Sequence, residues 1–465
     1  MNYIKEGIDI MLNKAMFREY DIRGIYPEQV NEEVAYSLGR AYATKLLSLG
    51  KNKCIVGYDN RSSSKSLEEN LVRGITESGV DVVKIGMVTT PMYYYAWDKL
   101  NIKCGIMITA SHNPKEYNGF KMSYNGIHNM FGKDVKDLYY VILNDIFSEG
   151  NGTIEEADIK KDYIKMIHNH ISMGNNKLKV VYDCGNGTTS VVAKEIFKNT
   201  DTIEYIPLFA ESDPNFPNHH PDPCEEENLK QLKEKVLETN ADCGIAFDGD
   251  GDRIGVVDEK GNMIVIDKFM VIIWRDIYDK VDNKKGFYDV KCSNVVKDEL
   301  LKLGIEPICV RTGNSYTKKI SVEENYPFGG ELSGHVYFRD RFIGTDDGIY
   351  AGLRFIEILS RSQNKASELL NGITEYYSTP EEKWTVEDTK KDEIISRVEE
   401  YCKNKNYDIL TIDGVKVLYE DGFALIRKSN TGPNITTRYE AKTEEKLNER
   451  KKEFDNLLKE LKEKE

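Results

Sequence analysis

Apolar runs of strand length alternate with longer stretches of helical spacing in this chain, and the alternation starts afresh twice. Cys54-Ile55-Val56-Gly57-Tyr58 is followed by helix-spaced residues 67–79 and by a second run, Val80-Asp81-Val82-Val83-Lys84-Ile85. Leu178-Lys179-Val180-Val181-Tyr182-Asp183 precedes the helix-like 188–198, and Gly286-Phe287-Tyr288-Asp289-Val290 precedes 294–303. Strand, helix and returning strand make a βαβ unit, so the pattern predicts three α/β modules of similar size. From about residue 371 the texture changes. Short strands such as Gly422-Phe423-Ala424-Leu425-Ile426 precede a charged helix whose Leu447, Phe454, Leu458 and Leu461 fall mainly at three- and four-residue spacing, as expected of a helix covering a sheet.

The 465 residues exceed what one hydrophobic core organises, and polar, Gly-containing breaks fall near 148–153, 258–261 and 371–382. The expected modules are 1–152, 153–258 and 259–370, followed by a smaller α+β module, 371–465. Hydrophobic residues at 40% and charged residues at 31% fit a folded protein. The formal charge of -14 argues against nucleic acid or an anionic membrane as partner, since both require a clustered basic surface. A phosphorylated substrate must then be met by local Arg and Lys. Eight cysteines form no CxxC, which argues against structural zinc and a disulfide framework. No window approaches the roughly 20 apolar residues of a membrane span. Residues 1–15 are broken by Lys5, Glu6 and Asp9 and lack a secretion-signal core, so a cytoplasmic protein is expected.

Four runs carry chemistry. Asp248-Gly249-Asp250-Gly251-Asp252-Arg253 leaves the apolar run Gly244-Ile245-Ala246-Phe247, and three carboxylates crowd together only around a cation. Alternate residues of an extended segment face one way, glycines let it bend, and oxygen-only ligands suit Mg²⁺. An EF-hand requires glycine where Arg253 stands. A phosphatase with Asp248 as aspartyl nucleophile remains open on these residues alone. Thr109-Ala110-Ser111-His112-Asn113-Pro114 follows the strand-like 104–108 and runs on to Lys121. Ser111 is expected to be exposed at a strand-to-loop edge, with Pro114 stiffening the turn. His112 is expected to point away from it, because neighbours on an extended backbone face opposite sides. Read alone, the run is more often a turn with capping residues than a nucleophile.

Arg427-Lys428-Ser429-Asn430-Thr431-Gly432-Pro433, with Arg438 and Glu440 beyond, offers a guanidinium, polar side chains and loop N–H groups, which together suit a phosphate. In Phe328-Gly329-Gly330-Glu331-Leu332-Ser333-Gly334-His335 the spacing of two places Glu331, Ser333 and His335 on one polar face, a set that sugar hydroxyls require.

In this order, and with supporting runs at 17–24, 216–223, 289–293 and 412–415, the four motifs resemble the α-D-phosphohexomutase family, specifically its phosphomannomutase/phosphoglucomutase branch, over nearly the whole chain. The resemblance implies an α/β fold: three similar α/β domains with mixed sheets plus a smaller α+β C-terminal domain, around a central cleft. It implies a phosphohexose substrate, mannose or glucose, converted between its 1- and 6-phosphates through phosphoserine 111 and a hexose 1,6-bisphosphate. Ser111, Asp248, Asp250 and Asp252 become Mg²⁺ ligands, and glucose or mannose 1,6-bisphosphate the activator. Arg23, His112, Lys121, Arg253 and His335 join Ser111 as catalytic residues, with Lys121 and His335 both candidates for the base. Tyr20, Lys291, Gly313, Glu331, Ser333, Arg427, Ser429, Asn430, Thr431 and Arg438 become substrate-binding residues. A monomer or weak dimer is expected. Phosphoglucosamine mutase of the same family is the nearest alternative, ahead of a Mg-dependent sugar phosphatase. One departure stands out: after Arg311-Thr312-Gly313 many relatives carry a phosphate-touching histidine, whereas this chain has Asn314, which donates a hydrogen bond but carries no charge.

Overall fold

The computed structural model describes residues 12–429 and 432–463, and these form two compact units. The first comprises residues up to 266 together with 314–325 and 333–369; the second comprises 267–313, 326–332 and the chain from 370.

Two mixed sheets organise the first unit. Strands β1 (Ile22–Ile25), β2 (Lys53–Tyr58), β3 (Asp81–Met87), β4 (Gly105–Ile108), β5 (Tyr117–Ser123) and β6 (Ile154–Glu156) lie in the order β1-β5-β4-β2-β3-β6. The pairings β2–β4, β2–β3 and β3–β6 are parallel, whereas β5 runs antiparallel to β4 and β1. In the second sheet β7 (Leu178–Asp183), β8 (Ile203–Leu208), β9 (Cys243–Phe247), β10 (Ile254–Asp258) and β11 (Met263–Ile264) take the order β11-β10-β9-β7-β8. The apolar runs became strands because helices cover them. Leu67, Leu71, Val72 and Ile75 fall at helical spacing on Ser64–Glu77 and are buried with Cys54, Val56 and Val82 in one core. The expected helix at 188–198 is shorter, Ser190–Ile196, because Thr188 and Thr189 enter a turn whose N–H groups bond Gly249 and neighbouring carbonyls. Residues 258–261 close a hairpin between β10 and β11.

The first unit also holds β15 (Val336–Phe338), and the second holds β12 (Lys285–Asp289), β13 (Glu306–Val310) and β14 (Phe328–Gly330), with β12 parallel to β13 and β14. After these in sequence comes an antiparallel sheet ordered β16-β21-β20-β19-β18, built from β16 (Tyr377–Ser378), β18 (Ile409–Leu410), β19 (Val415–Tyr419), β20 (Gly422–Lys428) and β21 (Asn434–Ala441), with β17 (Glu382–Thr385) on β21. The charged helix Glu444–Glu463 does cover it: Phe454 and Leu458 are buried with Val417, Ala424 and Tyr439, and Leu447 and Leu461 pack alongside. Among the described residues no helix is long and apolar enough to cross a membrane.

Candidate active site

Both chemistry-bearing loops of the first unit leave the ends of buried strands. Ser111 follows β4, and the aspartates lie between β9 and β10. Ser111 Oγ donates to Asp248 Oδ2 at 2.7 Å, and the Asp248, Asp250 and Asp252 carboxylates each bring an oxygen within 4.8 Å of the others. The aspartates converge through a turn, closed by Gly251 N–H to Asp248 O at 3.2 Å, instead of through the alternation of an extended segment. Lys121, on β5, donates to Asp250 Oδ2 at 2.8 Å and Asp252 Oδ2 at 2.6 Å. Thr90 adds a hydroxyl to Asp250 at 2.6 Å.

These contacts leave Asp250 Oδ1 and Asp252 Oδ1 buried without a hydrogen bond. Two orphaned carboxylate oxygens in a site closed to water are what a hard divalent cation satisfies, so the donor set fits the metal expected there. The electrostatics agree. Burial, reinforced by Asp250 and Asp252, raises the Asp248 pKa well above the carboxylate range. For Asp250 burial works the same way, but Lys121 overrides it and pushes the pKa down. Burial likewise opposes the charge of Lys121, and the two aspartates outweigh it, so the lysine stays an ammonium.

Two expectations about Ser111 are overturned. It is only 2% exposed, because Gly249 of the metal loop lies directly against it: a Cβ on Gly249 would stand 2.5 Å from Ser111 O. His112 also does not point away. Ser111 adopts a φ of 50°, the backbone is not extended there, and His112 Nδ1 comes to 3.3 Å from Ser111 Oγ. Burial, followed by Arg253, Arg23 and His335, depresses the His112 pKa well below the usual imidazole value. Arg23 reaches the same loop, donating to Ala110 O at 3.2 Å and to Asn113 Oδ1. Arg253 donates its backbone N–H to Asp248 Oδ1 at 3.1 Å and its Nε to His335 Nε2 at 3.1 Å. Tyr20 is half-buried on the bend before β1.

The shared polar face expected of Glu331, Ser333 and His335 does not form by strand alternation. No strand spans 331–335, and Gly334, at φ 95°, turns the chain. His335 Nδ1 instead lies 2.9 Å from Asp346 Oδ2, with Asn314 at 3.0 Å from the same nitrogen. Asn314 therefore contributes to orienting His335 and Asp346. Lys318 closes the network, 2.8 Å from Asp346 and 3.1 Å from the centre of the Tyr94 ring.

In the second unit Lys291, Arg427 and Arg438 are all buried, and Arg438 donates to the Lys291 carbonyl. Lys291 stands 3.6 Å and Arg427 3.8 Å from Glu381, while Arg427 pairs with Asp413 at 3.0 Å. Gly313 N–H donates to Glu331 Oε1 at 3.2 Å, and Asp289 accepts from Thr312 at 2.8 Å and Leu332 N–H at 3.2 Å, which ties the two loops together. Ser429 accepts the Gly432 N–H at 3.2 Å, and Lys391 braces the carbonyls of both. Asn430 and Thr431 lie outside the described residues. Sequence reasoning missed Glu381, Asp346, Lys318 and Lys391. Each bonds to residues distant in the chain, and no local pattern marks them.

A buried serine thus bonds to one of three converging carboxylates, a cluster that could hold a metal ion, on α/β modules. Four family models match in order: phosphoglucomutase/phosphomannomutase alpha/beta/alpha domains I, II and III over 14–142, 161–261 and 266–377, and the C-terminal domain over 381–457. A phosphomannomutase/phosphoglucomutase of Pseudomonas aeruginosa is 40% identical over 448 residues, 96% of each chain. A phosphoglucomutase of Neisseria gonorrhoeae is 38% identical, covering 93% of this chain and 94% of its own. The crystal structure of a phosphoglucomutase/phosphomannomutase family protein from Burkholderia thailandensis superposes with a TM-score of 0.89 at 36% identity, covering 97% of this chain and 98% of that one. The chain belongs to the phosphoglucomutase/phosphomannomutase family, and it is accordingly a mutase, an intramolecular phosphotransferase.

Proposed function

We propose that the enzyme interconverts hexose 1-phosphate and hexose 6-phosphate, with mannose and glucose as the sugars, using Ser111 as phosphate carrier and a hexose 1,6-bisphosphate as intermediate and activator. The observation that carries this reading is the Ser111–Asp248 hydrogen bond beside two orphaned carboxylate oxygens. A serine that arrives phosphorylated needs charge neutralisation and alignment of its phosphate and no base to activate it. Asp248, Asp250 and Asp252 would hold Mg²⁺, which supplies positive charge to the transferring phosphoryl group. Lys121 and Arg253 add fixed positive charge, and Arg23 holds the Ser111 loop.

Lys121, held as an ammonium, is suited to neutralise charge, and His335, held between Arg253 and Asp346, is the other candidate for the base that takes the proton of the attacking sugar hydroxyl. Glu331 and Ser333 would hold sugar hydroxyls. Lys291, Gly313, Arg427, Ser429 and Arg438, with Asn430 and Thr431, would hold the phosphate that is not reacting, and His112 and Tyr20 would line the substrate's path. The module divisions at 152, 258 and 370 belong to the same reading, as does a cytoplasmic enzyme that is a monomer or weak dimer.

The test couples glucose 1-phosphate conversion to glucose-6-phosphate dehydrogenase, with Mg²⁺ and catalytic glucose 1,6-bisphosphate. Ser111→Ala should lose at least about 10³-fold in kcat and the phosphate-sized mass adduct of the parent. An alanine variant as fast as the parent would refute the assignment. Parallel runs with mannose 1-phosphate and glucosamine 1-phosphate separate the family branches, and release of inorganic phosphate without glucose 6-phosphate would indicate the phosphatase instead.

A further inference from the structure

We infer that Asn60 and Arg61, on the loop after β2, are positioning residues that fix the Ser111 loop against the metal loop. The inference rests on the phosphocarrier role proposed for Ser111. Arg61 is 3% exposed, and its guanidinium donates four hydrogen bonds to backbone carbonyls of one loop. Nη2 reaches Ser111 O at 2.8 Å and Asn113 O at 2.6 Å, and Nη1 reaches Pro114 O at 2.7 Å and Tyr117 O at 2.9 Å. The guanidinium is itself held, since its Nε stands 3.2 Å from Asp59 Oδ2, and Asp59 Oδ1 accepts the Arg61 N–H at 3.0 Å and the Ser64 hydroxyl at 2.6 Å. Asp59 N–H bonds Ile108 O at 2.9 Å, which anchors the whole assembly to the end of β4.

The neighbouring residue grips the other loop. Asn60 N–H donates to Thr188 Oγ1 at 3.0 Å, and Asn60 Nδ2 donates to Asn186 O at 2.8 Å. Thr188 N–H in turn donates to Gly249 O at 2.9 Å, within the metal loop. Two consecutive residues thus hold the backbone of the nucleophile and, through Thr188, the backbone beside Asp248. Ser111 sits in a left-handed conformation that a side-chain-bearing residue adopts at a cost, so an external clamp is required to keep it there. The planar fork of arginine suits four carbonyls; an ammonium offers three donors from a single point and does not span them.

The experiment compares Arg61→Lys, Asn60→Ala and Thr188→Val with the parent and Ser111→Ala in the glucose 1-phosphate assay, with Ser111 phosphorylation quantified by intact mass. Arg61→Lys is expected to lower kcat by about 10²-fold, the penalty of roughly 1 Å of misplacement, with KM within twofold and the purified protein still folded. Thr188→Val should show the same split more weakly, even if Arg61→Lys proves unstable. A kcat within twofold of the parent in both, or a fall in kcat matched by KM, would overturn the inference. A parent whose activity survives Ser111→Ala would overturn the underlying role of Ser111 first, and the inference with it.

Discussion

At the residue scale the acidic triplet is governed by who neutralises it. Lys121 takes one oxygen each from Asp250 and Asp252 and leaves the other two without a hydrogen bond, so a cation would have those oxygens to bind. Replacing Lys121 by Met leaves two buried anions without their fixed partner, a loss that typically costs 3–5 kcal/mol. We expect Lys121→Met to be destabilised by about that amount in chelator and to regain most of it in millimolar Mg²⁺, whereas the parent gains less. Urea unfolding with and without Mg²⁺ measures both. A variant equally stable in the two conditions would show that no cation binds these carboxylates.

At the element scale the helix Gly348–Arg361 carries a pH-sensitive cap. Asp347 caps it, accepting the Tyr350 N–H at 2.9 Å while Tyr163 donates its hydroxyl to the same carboxyl group at 2.7 Å. Burial, aided by Asp346, pushes the Asp347 pKa up to about 7 despite both hydrogen bonds. The folded chain therefore holds this proton more tightly than the unfolded chain. The stability linked to it is fully present below about pH 4 and is lost as pH rises to 7. Asn caps a helix as well as Asp and never ionises. Asp347→Asn should match the parent at pH 4 and exceed it increasingly up to pH 8, by a difference approaching about 4 kcal/mol from three pKa units. Denaturation midpoints across that range check it, and a flat difference would place the Asp347 pKa in the ordinary range.

The strands themselves were legible because an apolar run at a strand's length is a local signal: Cys54–Tyr58 and Leu178–Asp183 lie in observed strands, and Gly286–Val290 overruns its strand, Lys285–Asp289, by one residue. The aspartate triplet was equally legible, being contiguous. What escaped were contacts made by chain reversal. Nothing in residues 59–64 announces that Arg61 grips a loop fifty residues on, and the positive φ of Ser111, which brings His112 to its hydroxyl, is set by that tertiary clamp and by no pattern in the run itself.

At the scale of the whole molecule the two compact units carry different halves of the proposed chemistry. Ser111, the three aspartates, Lys121 and His335 belong to the first, and Lys291, Arg427, Arg438 and Glu331 to the second. Each unit has its own core, around Leu38, Val56 and Phe120 in the first and around Val417, Tyr439 and Phe454 in the second. A ligand stabilises the body that binds it by RT ln(1 + [L]/Kd), about 2.7 kcal/mol at a hundredfold excess over Kd. Mg²⁺ should therefore slow amide exchange through β4, β5, β9 and β10 and leave β19, β20 and β21 unchanged. Inorganic phosphate, drawn by three buried cations in a chain of net charge -14, should do the reverse. Exchange followed by mass spectrometry in Mg²⁺, in phosphate and in neither resolves the two patterns. Equal slowing of both sets by Mg²⁺ alone would mean that the units open as one cooperative body, and the division of binding work between them would then have no separate thermodynamic signature.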